Sequence, residues 1–380
     1  MIAATRCDGR CSPRPDDGTT HSARRTAPHA DEAAAVPIVS SPMPYRRFIH
    51  FHRISHFLAC GSRRLCQMIA EALKNARVLT VATTPINTMD PSQQVMLAPL
   101  MAVTGGSAHV VIGLIDGPVA KDHPGLVGAR LRELASTPNE RCSLVSSAAC
   151  RHCTAVAGML GASRQFLPSA ICPGCTLLVR PIFGTTGNET GGVPNAEPEA
   201  LAGAISDCID AGAAVLNLSV SLGDASRGAA DALSEALSYA ARRGVLVVAA
   251  AGNDGTIYSS AITRHPWVIP VTACGRAEVP LGTANLSSSV GRRGLLAPGE
   301  RITSLGPNGQ LMTLSGTSFA VPFVTGSIAL LWSGFPDASA TEMRMAIVPQ
   351  TSHRAAIVPP MLDATAAYQR LAATRRRITA

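Results

Sequence analysis

Short apolar runs alternating with helix-spaced segments constrain this chain more than any other feature. Residues 109–115 (HVVIGLI), 176–182 (TLLVRPI), 214–218 (AVLNL), 245–250 (VLVVAA) and 267–271 are too short for helices and too continuously apolar for strands wetted on one face. Such runs suit strands covered on both sides, as in a parallel sheet flanked by helices. Between them, residues 197–211 and 228–243 carry helical spacing, residues 318–333 form a long apolar segment opened by Gly-Thr-Ser, and 338–348 read as a further helix. Strand–helix alternation implies βαβ units joined by right-handed crossovers. The expected fold class is α/β: three layers, with a mostly parallel central sheet and helices on both faces. With 46% hydrophobic residues in a 380-residue chain but only 4% aromatics, Ala, Gly, Val and Leu must fill the core, which favours closely packed helices.

Charge is distributed unevenly. Residues 1–88 hold 12 Lys/Arg against 6 Asp/Glu, whereas residues 89–369 hold 17 against 19, and Arg370, Arg375, Arg376 and Arg377 crowd the C-terminal end. The formal net charge of +8 therefore belongs to the ends, and a nucleic-acid partner is not expected. The expected organisation is a basic, largely disordered extension over 1–94, one α/β domain over 95–365 and a basic tail over 366–380. No stretch has the roughly 18–20 uninterrupted apolar residues of a membrane span. The first 30 residues lack an apolar h-region, so the expected location is cytoplasmic.

Four polar residues stand at strand ends or helix starts. Asp116 closes the first apolar run, in VIGLIDGPVAKDHPGL, where open α/β sheets place their sites. Alone it reads equally as a turn or cap residue. His152, in CRHCTAVAGML, opens a run of small residues suited to a tightly packed helix; a lone histidine there is more often structural. Asn253 ends the run GVLVVAAAGNDG, as an ordinary turn residue or as an amide donor for developing negative charge. Ser318, in LSGTSFAVPFVTG, starts an apolar helix, as a plain N-cap or as a nucleophile beside unpaired backbone N–H groups. Together the four fill the roles of acyl transfer. A serine hydroxyl needs a base, the base needs a carboxylate to fix its tautomer, and the tetrahedral intermediate needs donors.

These motifs resemble the subtilisin-like serine peptidase family over about residues 107–350. They are LIDGPVAKDHPGL, HCTAVAG, AAAGNDG and SGTSFAVPFVTG, in the order Asp–His–Asn–Ser. CPGCTLLVRPIF, LAPGERI and the short connection at 331–336 are similar to the branch of cyanobactin-maturation proteases, which cut leader peptides from ribosomally made precursors. The resemblance implies a serine endopeptidase with Asp116, His152 and Ser318 as triad, Asn253 as oxyanion donor, a peptide or protein substrate and no cofactor or catalytic metal. It implies a primary pocket at Ser221, Leu222 and Gly223 within NLSVSLG, with residues 183–192 as the opposite wall, the substrate adding as an extended strand. The alternative is a catalytically impaired relative that binds peptides without cutting them; a third reading is peptide cyclisation. Three departures stand out. Cys153 replaces the glycine usual after the histidine, NLSVSLG is two residues longer than the common form, and residues 80–107 contain nothing like the family's inhibitory propeptide.

The cysteines leave alternatives open. CRHC and CPGC are C-x-x-C pairs with 18 residues between Cys153 and Cys172, a spacing compatible with zinc, with local disulfides or with buried thiols.

Overall fold

The computed structural model describes residues 90–134, 142, 147–167, 169–183, 195–220, 222, 227–306, 309–349 and 356–379. The elements in chain order are α1 (Pro91–Gln94), α2 (Ala98–Val103), β1 (Val111–Asp116), a 3-10 turn (Pro124–Leu126), β2 (Arg130–Glu133), α3 (Ala148–Gly161), β3 (Thr176–Pro181), α4 (Pro198–Asp210), β4 (Val215–Leu218), α5 (Arg227–Arg243) and β5 (Leu246–Ala250). There follow α6 (Ala261–Arg264), β6 (Val268–Cys274), α7 (Ser288–Arg293), β7 (Leu295–Pro298), β8 (Ile302–Leu305), β9 (Leu311–Leu314), α8 (Thr317–Gly334), α9 (Ala340–Ile347) and α10 (Ala364–Thr379).

Strands β1 to β7 form one sheet in the order β2-β3-β1-β4-β5-β6-β7, with every pairing parallel. Strands β8 and β9 form a separate antiparallel pair. The expected buried runs are these strands, and successive residues divide between two cores. Ile112 and Leu114 of β1, Leu177 and Val179 of β3, and Leu246 and Val248 of β5 join the core shared with α3 and α8. Ile115, Leu178, Val247 and Ala249 face the other way, into the core shared with α4 and α5. A period of two carried into two separate cores makes the sheet the middle of three layers.

The strand order sets the position of the site. From β1 the chain moves out to β2 and β3 on one side, then crosses to β4, β5, β6 and β7 on the other. The carboxyl ends of β1, β4 and β5 are therefore neighbours at the point where the winding reverses, where such sheets open a crevice.

Helix α8 is nearly all core. Among the described residues it is the one helix long and apolar enough to cross a membrane by composition, but 83% of it is buried inside the fold. Both ends of the described chain also pack inward. Val95, Leu97 and Leu100 are buried, Ala364 N–H donates to Val95 O at 3.0 Å and Thr365 Oγ1 donates to Met96 O at 2.8 Å. The residues expected as a basic tail from 366 onward are instead most of α10. Ala364, Ala367, Tyr368 and Leu371 are buried along one stripe, at the spacing of an amphipathic helix. The Tyr368 ring lies tilted against Phe335 with centroids 5.2 Å apart, and Arg375 meets Glu342 at 3.3 Å.

Candidate active site

Asp116 is the last residue of β1 and is fully buried. Its Oδ1 accepts from Gly117 N–H at 2.7 Å and lies 3.0 Å from His152 Nδ1; its Oδ2 is 2.9 Å from the same nitrogen and has no other partner. A buried carboxylate at those distances demands the Nδ1–H tautomer of the imidazole and leaves Nε2 to face the cleft. His152 lies near the start of α3, which Ser147 caps through its hydroxyl on Cys150 N–H. Gly117 lets the helix come this close: a Cβ there would stand 2.5 Å from Ala149 O. The imidazole is 11% exposed, and its ring centroid is 5.3 Å from that of Phe319. The first turn of α8 is thus packed against the histidine.

Ser318 is the second residue of α8, and its N–H is among those a helix start leaves without an internal partner. Its hydroxyl donates to Ser219 O at 3.4 Å rather than to the imidazole. Pro322, four residues on, has no N–H for the Ser318 carbonyl, which would otherwise lack its helical bond. Ser219, one residue beyond β4, supplies the replacement: its hydroxyl donates to Ser318 O at 3.0 Å. Ser219 Oγ in turn accepts from Asn217 Nδ2 at 3.0 Å, and Asn217 Oδ1 accepts from Thr325 Oγ1 at 3.0 Å. Asn217, Ser219 and Thr325 are buried, so this chain of hydrogen bonds fixes the start of α8 to the sheet.

Asn253 lies on the exposed loop after β5. Its Oδ1 accepts from Thr317 N–H at 2.9 Å and from Thr317 Oγ1 at 3.1 Å. Those two donors assign the amide orientation, with Nδ2 as the end that Thr317 does not engage. The approach also needs Gly316, with φ +140, whose missing Cβ would sit 3.4 Å from the Asn253 amide.

The sequence-predicted residues Asp116, His152, Asn253 and Ser318 thus share one rim of the sheet. Of the expected pocket, Leu222 is half-buried and bridges to Ala196 in parallel; Ser221, Gly223 and residues 184–192 lie outside the described residues. Ser219 and Thr317, which hold Ser318 and Asn253, were not singled out by sequence reasoning. The legible signal was Pro322, whose missing N–H obliges some neighbour to serve the Ser318 carbonyl.

The cysteines divide by partner. Cys142 and Cys150 are bonded, so CRHC is not available as a four-thiolate set with CPGC. Cys172 and Cys175 are both buried and share a thiol hydrogen bond, which lowers Cys175 and raises Cys172 in pKa. Cys153 is fully buried, and desolvation, then the Asp116 charge, push its thiol well up. Among the described residues, no group of three or more His, Cys, Asp or Glu is placed to hold a metal.

Residues 107–369 match the model of the Subtilase family. The chain is 30% identical over 241 residues to Subtilisin DY of Bacillus licheniformis, covering 62% of this chain and 81% of that protein. It is 28% identical over 236 residues to thermitase of Thermoactinomyces vulgaris, covering 62% and 78%. Among solved structures, a mutant of the protease domain of PatA superposes with a TM-score of 0.62 at 28% identity, covering 71% of this chain and 97% of that one. The prenylagaramide maturation protease PagA gives 0.61 at 26%, covering 72% and 98%. The PatG macrocyclase domain, at 19% identity and a TM-score of 0.64, shares the fold. This chain belongs to the Subtilase family of serine endopeptidases.

Proposed function

We propose that the protein hydrolyses peptide bonds through an acyl-enzyme, with Ser318 as nucleophile, His152 as general base and acid, Asp116 as the carboxylate that orients the imidazole, and Asn253 as oxyanion donor. The observation that carries this reading is the buried Asp116 carboxylate bound to His152 Nδ1, with the Ser318 turn of α8 packed on the same ring. Ser318 Oγ attacks the carbonyl carbon as His152 Nε2 takes its proton. Asp116 keeps the Nδ1–H in place and supports the imidazolium. Asn253 Nδ2 and Ser318 N–H donate to the oxyanion, and the proton on Nε2 passes to the departing amine. Water then reverses the sequence on the acyl ester. Preorganised donors of this kind contribute about 3–4 kcal/mol each to the transition state.

The substrate class we infer is the precursor peptide, cut at its leader. Support comes from the likeness to PatA, a patellamide maturation protease, and to PagA, a prenylagaramide maturation protease. Cytoplasmic placement belongs to the same proposal, although disulfides such as Cys142–Cys150 are rare in that compartment.

The test is Ser318→Ala. The wild-type protein should give a burst of p-nitrophenol from an activated ester and take up a serine-directed phosphonate. The variant should lose both, with hydrolysis down by at least about 10⁴-fold. Labelling that survives the substitution ends the proposal. A wild-type protein that binds peptides but shows no burst would favour the non-cleaving alternative.

A further inference from the structure

Asn253 is exposed, yet it has to hold one amide nitrogen steady toward a charge that exists only during reaction. Thr317 holds its carbonyl end from above. A single buried residue holds the loop on either side of Asn253, by its main chain before it and by its side chain after it. Asn285, between β6 and α7, is 2% exposed. Its N–H donates to Gly252 O at 2.9 Å, the residue before Asn253. Its Oδ1 accepts from Asp254 N–H at 3.0 Å, from Thr256 N–H at 3.1 Å and from Thr256 Oγ1 at 3.3 Å. Its Nδ2 donates to Asp254 Oδ2 at 2.9 Å. The anchor is itself tied to the sheet, since Thr272 Oγ1 of β6 donates to Asn285 O at 3.2 Å. Gly252, at φ +106, completes the fit: a Cβ there would fall 2.3 Å from Asn285 Nδ2.

Chemistry restricts which side chain can do this. Three donors converge on one oxygen while an acid waits on the other end of the same group. An amide meets both demands; a carboxylate would meet the first and oppose the second, and a hydroxyl is too short to span Asp254 and Thr256 together. The neighbours Asp254 and Thr256 are exposed, so water can serve their N–H groups if Asn285 is removed. What is then lost is the aim of Asn253, not the fold.

We propose that Asn285 is a positioning residue for the oxyanion: it fixes the 252–256 loop so that Asn253 Nδ2 points at the developing charge. This inference rests on the reading of Asn253 given above. Asn285 is buried beneath the loop and so out of reach of a substrate, and it acts on the rate of acylation and not on affinity.

The experiment is a double-substitution cycle on the full chain, read as the acylation rate and KM with p-nitrophenyl acetate. Asn285→Ala should lower the rate by about tenfold or more, with KM nearly unchanged, a smaller loss than deleting the donor itself. In an Asn253→Ala background, Asn285→Ala should cost less than about twofold further, because the group it aims is gone. Asn285→Asp is isosteric and guards against misfolding of the alanine variant. It sets two carboxylates face to face, so its rate relative to wild type should climb as pH falls from about 9 to about 6 and one of them takes a proton. A residue that merely packs would leave that ratio flat. The proposal is overturned if Asn285→Ala keeps the full rate, if its loss multiplies undiminished onto Asn253→Ala, or if the Asp ratio does not move with pH. Should Ser318→Ala or Asn253→Ala prove as active as wild type, the reading of the site itself fails; if both are impaired and the Asn285 variants are not, only this inference falls.

Discussion

The two halves of the site are built differently. On the β1–α3 side, Asp116 is fully buried, His152 is 11% exposed, and the two groups are each other's partners. On the β5–α8 side, Asn253 is exposed, Ser318 is half-buried, and the Ser318 hydroxyl is bonded to Ser219 O rather than to the imidazole. A carboxylate can be buried at a strand end because an imidazole and a backbone N–H are there to meet it; an unpaired one would change protonation instead. Donors for a transient oxyanion, the role proposed for Asn253 and the Ser318 N–H, would have to stay unpartnered until it forms. The orientation of these two residues is supplied through neighbours, by Thr317 for Asn253 and by Ser219 for Ser318. One half is closed by the fold, and the other is held open by it.

The largest expected effect tests the closed half. Asp116→Asn keeps the shape but presents an amide N–H to Nδ1, which favours the tautomer with its proton on Nε2, the wrong one for a base. Hydrolysis should fall by about 10⁴-fold, while Gly117 N–H keeps its acceptor and the fold persists. A loss below about tenfold, measured on protein with unchanged circular dichroism, would remove Asp116 from the mechanism and erase the contrast.

A smaller effect is expected from the support of the open half. Ser219→Ala leaves the Ser318 carbonyl without a donor, since Pro322 cannot provide one, and strips Asn217 Nδ2 of its acceptor. Buried polar groups orphaned in this way cost about 1–3 kcal/mol, a visible drop in melting temperature, with roughly tenfold slower acylation as the start of α8 loosens. Pro322→Ala sharpens the point, because it returns an N–H four residues after Ser318. In the Ser219→Ala background it should recover part of the lost melting temperature. If the two losses simply add, the Ser219 hydroxyl is not standing in for the missing helical bond.

Thr317→Val comes next. It keeps the N–H that Asn253 Oδ1 accepts and removes the hydroxyl that shares that oxygen. One neutral hydrogen bond contributes about 0.5–1.5 kcal/mol, so kcat should drop by a few-fold with KM steady. A change confined to KM would place Thr317 in substrate binding instead.

How much of this the sequence disclosed follows the same division. The buried strands were legible because both of their faces are apolar, and Asp116, His152, Asn253 and Ser318 because each ends a strand or starts a helix in a motif. The residues that hold them were not. Ser219 lies inside NLSVSLG, which reads as part of the substrate groove, Asn285 lies in a segment with no assigned element, and their partners are 99 and 31 residues away in the chain. Only the assembled fold, which sets the start of α8 against the end of β4 and lays β6 beside β5, creates those contacts. The C-terminal helix was obscured for another reason: its four cations dominate the composition, while the stripe of Ala364, Ala367, Tyr368 and Leu371 that seats it is modest.

The smallest expected effect concerns Cys153, which the sequence set beside the base in place of glycine. The structure puts it inside the closed half, fully buried, with a thiol pushed up by desolvation and then by the Asp116 charge. A neutral thiol without solvent access behaves as a small apolar group, so it should neither oxidise readily nor brake turnover. Cys153→Ala should therefore shift kcat by less than about twofold and cost about 1 kcal/mol of stability for the lost volume. Treatment of the wild-type protein with a maleimide should leave its burst amplitude intact. A rise of tenfold in kcat on removing the thiol would show that the buried half is not insulated after all, and that bulk behind His152 controls how the imidazole reaches Ser318.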